Sequence, residues 1–139
     1  MPRGRKITAV ARSEAHLYLG KAEQFLDEGH AAVAAARNDA AMLSAVHAAI
    51  SASDAATVAL SGLRSADSDH VRAADLLEEV AADSEAVRVR ARQLRTLLAK
   101  KNVVEYESRR ASAKEAAESV IRASKLVDWA REVVARAKV

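Results

Sequence analysis

Along most of the chain apolar residues return every three or four positions, the period that gathers side chains on one face of a helix. Leu17, Ala22, Phe25, Leu26, Val33 and Ala36 follow it from Ser13, which can cap a first helix, to about Arg37. Gly20 and Gly29 lie inside that run, and each predicts either close packing of a neighbouring helix or a bend. Asn38-Asp39 supplies a break and the next cap, so a second helix, about Asp39 to Leu63, folds back beside the first as a hairpin. Its packing face is Leu43, Val46, Ile50 and Val58 among many alanines. A polar loop from Gly62 to Ser68 leads to a short third helix, Asp69 to about Ala82, with Val71, Ala74, Leu77 and Val80 inward. Asp83-Ser84 caps a fourth helix whose stripe is Val87, Ala91, Leu94 and Leu98. After a turn over Glu107 to Ala111, Ser112-Ala113-Lys114-Glu115 is a capping box that starts a fifth helix. That helix turns Ala116, Val120, Ala123, Leu126, Val127, Ala130 and Val134 inward, with the lone Trp129 in the core or at a dimer interface.

The pattern predicts an all-α fold, an antiparallel helical bundle of four long helices and one short one, as a single domain over residues 13–139. Alternating strand patterns between turn residues are absent. Residues 1–12 show no stripe and carry Arg3, Arg5, Lys6 and Arg12, which reads as a basic flexible N-terminal arm. Composition agrees with the helical reading, because half the residues are hydrophobic, alanine dominates and only 3% are aromatic. There is no cysteine, which excludes disulfides and thiolate chemistry and fits a cytoplasmic location. No apolar run reads as a membrane span, so no membrane partner is expected. A net charge of +3 permits nucleic-acid contact without requiring it. The cations of the fourth helix, Arg95 and Lys100 among them, read mostly as a solvated face; with Arg3, Arg5 and Lys6 they are the weaker candidates for phosphate contact.

Candidate chemistry lies where the apolar stripes turn polar. His47 follows Leu43 by four residues and Asp54 follows Ile50 by four, so both project near the face of the second helix. The stripe of the fourth helix continues onto Lys101, Asn102, Glu105 and Tyr106, where packing alone would select aliphatic side chains. His47, Asp54, Lys101, Asn102 and Tyr106 are therefore the candidate ligand-binding residues, expected to share one hollow. A satisfied polar network that fixes helix register is the competing reading of the same residues. His70, in the first turn of the third helix, reads as a surface residue. The histidines lack metal-ligand spacing, and no glycine-rich phosphate loop or nucleophile elbow is present, so no metal, cofactor or catalytic residue is expected.

The segment Ser44 to Ala55, Asp69-His70 and the segment Lys101-Asn102-Val103-Val104-Glu105-Tyr106-Glu107 together resemble small prokaryotic proteins of the HEPN superfamily, especially compact actinobacterial forms. The likeness covers about Ala22 to Val134. It implies a helical bundle that pairs into a homodimer and works in a toxin, defence or RNA-associated system, with a nucleotide, an RNA or a cognate protein as partner. Active ribonucleases of the superfamily carry Arg followed within four to six residues by His. Here Lys101 takes the basic place, Asn102 matches, and Tyr106 stands where the His belongs. A tyrosine, with a reference pKa near 10, is a poor proton exchanger at neutral pH. The resemblance thus implies a nucleotide- or RNA-binding domain, with a non-catalytic scaffold or antitoxin-like assembly partner as the alternative; metal-independent RNA cleavage through His47 or His70 is a minor reading.

Overall fold

Alanine on every side of the second helix decides the architecture. A helix that is apolar all round is driven to the middle of a bundle, and one made of small side chains lets its neighbours come close. The computed structural model of the chain describes residues 6–81 and 84–139. Along them run β1 (Ile7–Ala9), a 3-10 turn (Arg12–Glu14), α1 (Ala15–Ala34), α2 (Asn38–Ser61), β2 (Leu63–Ser65), α3 (Val71–Val80), α4 (Glu85–Tyr106) and α5 (Ala113–Ala137). The all-α bundle is as the periodicity predicts, with α2 packed against each of the other four helices. Ala41, Ala45, Ala48, Ala49, Ala52, Ala55, Ala56 and Ala59 are fully buried along it. The bulk in the core comes from the neighbours: Leu77 on α3, Leu94 and Leu97 on α4, Leu126 and Val127 on α5.

By length and composition α2 could cross a bilayer, which corrects the reading that no segment could. In the fold 67% of that apolar stretch is buried among the other helices, the position of a core helix. Gly29 lets α2 and α5 come close to α1. A Cβ there would stand 3.2 Å from Val120 Cγ2 on α5 and 3.7 Å from Ser44 Cβ on α2, whereas Gly20 has open space around it.

The ends of the helices follow local chemistry, with two corrections. Ser112 accepts from the Glu115 backbone while Glu115 reaches back to Ser112, so the capping box forms as read. Ser84 accepts from Val87 N–H at the start of α4, and Trp129 packs at the edge of the core beside Leu77 and Val87. Asn38 and Asp39, however, do not cap α2. Helix α1 ends instead in a left-handed turn at Ala36 (φ 60°), with Arg37 N–H donating to Ala32 O at 2.8 Å. This frees the Asn38 and Asp39 side chains to clamp buried Ala111: Asn38 Nδ2 donates to its carbonyl at 3.2 Å and Asp39 Oδ1 accepts its N–H at 2.8 Å. The α1–α2 turn is thereby tied to the start of α5.

The second correction concerns the chain's beginning. Residues 7–9, assigned above to a flexible arm, form β1 and pair antiparallel with β2, Ile7 opposite Ser65 and Ala9 opposite Leu63. Val10 N–H donates to Gly62 O at 2.8 Å, and Arg12 Nε to Ala59 O at 2.7 Å, so this segment also covers the end of α2. Ser13 lies in the 3-10 turn and makes no side-chain cap on α1. Arg3, Arg5 and Asp83 fall outside the described residues.

Candidate functional site

Three elements bring the singled-out residues toward one end of the bundle. The last turns of α4 present Lys101, Asn102 and Tyr106, the α3 start presents His70, and the exposed side of α2 presents His47. Aspartates place His70. Asp67 Oδ1 accepts Asp69 N–H at 2.9 Å and Asp69 Oδ1 accepts Val71 N–H at 3.2 Å, two successive side-chain turns that satisfy free backbone donors ahead of α3. The backbone hydrogen bond from Asp69 also holds the Asp67 carboxyl below its ordinary range.

Lys101, Asn102, Tyr106 and His70 line a hollow of about 240 Å³ with Leu98 and Ser68 to Val71. Tyr106 is 77% exposed at its edge, so its ring offers a free face beside a cation and an amide. Lys101 Nζ donates to Glu105 Oε2 at 2.9 Å, one turn along the same helix, and this bond lowers the Glu105 carboxyl from its ordinary value. His47 stands outside the hollow, half-buried with its ring 5.3 Å from that of Phe25. Burial lowers its proton affinity first, followed by the charges of His70 and Lys101, with Glu105 opposing, so α2, α3 and α4 meet electrostatically around it.

Asp54 lines a different hollow. It is buried, and Arg64 Nε donates to Oδ2 at 3.3 Å. Burial pushes the carboxyl up to about 6 against the pull of Arg64 and Lys21. The guanidinium of Arg64 and the Lys21 ammonium each lie 5.5 Å from the centre of the Tyr18 ring. This second hollow, about 260 Å³, is lined by Ile50, Asp54, Arg64 to Asp67, Ala73 and, again, His70. The expectation of one hollow shared by all five residues is thus corrected: Lys101, Asn102 and Tyr106 come together, Asp54 opens into the adjoining space, and His47 into neither. The residue common to both, His70, was read as surface. Only the fold of the β2–α3 connection brings it there, and no local pattern announces that.

Among the weaker candidates, Arg95 bridges Asp75 and Glu78 of α3, which ties α3 to α4. Lys100 is half-buried on α4, and Lys6 is exposed ahead of β1, its carbonyl accepting from Ala66 N–H. Another α4 cation, Arg88, pairs with Glu85 within the helix. Among the described residues no group of three or more histidine and carboxylate side chains is placed to hold a metal ion. No protein-family model, curated protein or solved structure matches the chain. The likeness to the HEPN superfamily rests on the quoted segments alone.

Proposed function

We propose that this chain is a HEPN-like binding domain that takes a nucleotide or a short single-stranded stretch of RNA at the end of α4. What supports this most is the free face of Tyr106, 77% exposed, on the rim of a hollow that also holds Lys101, Asn102 and His70. A large aromatic left in water beside a cation is a stacking platform, because every base has a π-face and each stack is worth about 1–3 kcal/mol. On this reading Lys101 meets a phosphate in exchange for Glu105, and Asn102 hydrogen-bonds ribose or base. Binding without cleavage is the consistent role. In-line attack by a ribose hydroxyl needs a base and an acid, and the hollow contains one imidazole, with His47 outside it.

The test is the affinity of Tyr106→Ala for a short single-stranded RNA, read by fluorescence anisotropy. A loss of roughly tenfold is expected, the equivalent of about 1.4 kcal/mol, with an unchanged melting temperature because the ring is exposed. Unchanged affinity refutes the reading. A second reading, an assembly partner that pairs with another copy of itself, is favoured by Leu17 and Phe25 exposed on α1 and Ile121 on α5. Sedimentation of a monomer at micromolar concentration would remove it.

A further inference from the structure

We propose that Arg37 and Arg110 form a second phosphate site, in the hollow where α2 begins, and that it holds the same RNA strand as the end of α4. This rests on the nucleotide reading above and extends it from one stacked base to a strand of several nucleotides. The two arginines are distant in sequence and are brought together by the clamp on Ala111. Arg37 immediately precedes Asn38 and Asp39, and Arg110 immediately precedes Ala111. The bond from Asn38 Nδ2 to the Ala111 carbonyl and the bond from Ala111 N–H to Asp39 Oδ1 therefore fix both backbones at one place. Both arginines are exposed, and both line a hollow of about 440 Å³ with Asn38 and Asp39.

These guanidinium groups lack what their neighbours have. Arg88, Arg95, Arg109 and Arg131 each sit on a carboxylate, and Arg109, the residue beside Arg110, is held by Glu115 at 2.9 Å. Among the described residues Arg37 and Arg110 have no ion-pair partner. Asp39 is the carboxylate of the hollow, and one of its oxygens already accepts the Ala111 N–H. Two guanidinium charges against one carboxylate leave the hollow net positive. Like charges gathered around one space repel, and an anion between them removes that repulsion. A phosphate group suits the arrangement best, because a guanidinium fork grips its oxygens in paired hydrogen bonds. The position says which phosphate. Tyr106 ends α4 and Arg110 follows it by four residues, so their Cα atoms are at most about 14 Å apart. A single strand with one base stacked on Tyr106 reaches the arginines within a few nucleotides, the scale of site that stacking and charged grooves together make on such strands.

The experiment measures the affinity of the full chain for UMP, a uridine hexanucleotide and inorganic phosphate by calorimetric titration. The hexanucleotide should bind at least about tenfold more tightly than UMP, because its second contact is made within one bound strand. Arg37→Gln combined with Arg110→Gln should bring the hexanucleotide down toward the UMP level and leave UMP unchanged, with circular dichroism confirming the helical fold. The slope of log affinity against log salt for the hexanucleotide should become shallower by about 0.7, the share of one phosphate on a single strand. Lys125→Gln combined with Lys138→Gln removes the same charge further along the chain, from exposed positions, and should leave the hexanucleotide unchanged. An equal loss in that control overturns the proposal, since net charge alone then explains the binding. Unchanged hexanucleotide affinity in the arginine variant overturns it too. Equal binding of UMP and the hexanucleotide, both weakened by Tyr106→Ala, overturns the second site and leaves the nucleotide reading standing. Phosphate that binds through the two arginines, with no gain from UMP to hexanucleotide, assigns the hollow to a free anion and overturns the shared strand. A hexanucleotide weakened by the arginine variant and untouched by Tyr106→Ala also overturns the shared strand. Failure of both UMP and the hexanucleotide to bind overturns both readings.

Discussion

Replacing Asp54 with Asn should change the way stability depends on pH. The carboxyl is 5% exposed, and burial raises it from 3.8 to about 6, despite Arg64 at 3.3 Å. Because the folded chain holds this proton more tightly than the unfolded one, the group's contribution to stability is full below about pH 3.8 and is lost as pH rises through 6. At 1.36 kcal/mol per tenfold change in proton affinity, the loss is roughly 3 kcal/mol. Asn does not titrate, so it removes that dependence while keeping the size of the side chain. The stability of Asp54→Asn minus that of the wild type should therefore climb by roughly 2.5 kcal/mol between pH 4 and pH 7.5, most of that total. Urea unfolding followed by circular dichroism, at half-unit steps of pH, measures it, and taking the difference cancels the other titrating groups. A difference that stays flat across this range would show that burial does not dominate the site. A difference that falls would show that the pair with Arg64 outweighs desolvation.

Three further outcomes are expected. Asp39→Ala leaves the buried Ala111 N–H without its acceptor and should lower unfolding free energy by about 1.5–3 kcal/mol in the same urea assay. Ala36→Gly relieves a left-handed residue at the end of α1 and should raise the melting temperature, equivalent to at most about 1 kcal/mol; a drop would mean that the turn is not strained. Glu105→Gln releases the Lys101 ammonium from its charged partner and should tighten RNA binding several-fold at low salt, an effect that added salt should erase.

What could be read from the sequence was local, and what could not was tertiary. Ser112 and Glu115 lie three residues apart and satisfy each other, so the start of α5 needs no knowledge of the rest of the fold. The end of α1 was misplaced because Ala36 fills a position where glycine would have been the signal. Asn38 and Asp39 looked like caps, yet their partner Ala111 is more than seventy residues away. The ribbon escaped for a related reason. Ile7-Thr8-Ala9 and Leu63-Arg64-Ser65 are too short to show alternation, and each is a strand only because the other is there. In the candidate site, periodicity placed Lys101, Asn102 and Tyr106 on one side of α4, and the fold keeps them together. It placed His47 and Asp54 on one side of α2 as well, but neighbours, not period, decide what each one meets: Phe25 for His47, Arg64 for Asp54.

The central place of α2 sets an order of events when the protein is made. It leaves the ribosome before one of its main coverings, α5, which lies more than fifty residues further along. Until then a nascent chain carries a bare alanine-lined flank with the length and apolar character of a membrane segment. Chains that stop short of Ala113 should on this account be captured by chaperones or aggregate, and α5 acts as the latch that commits the polypeptide to its native form.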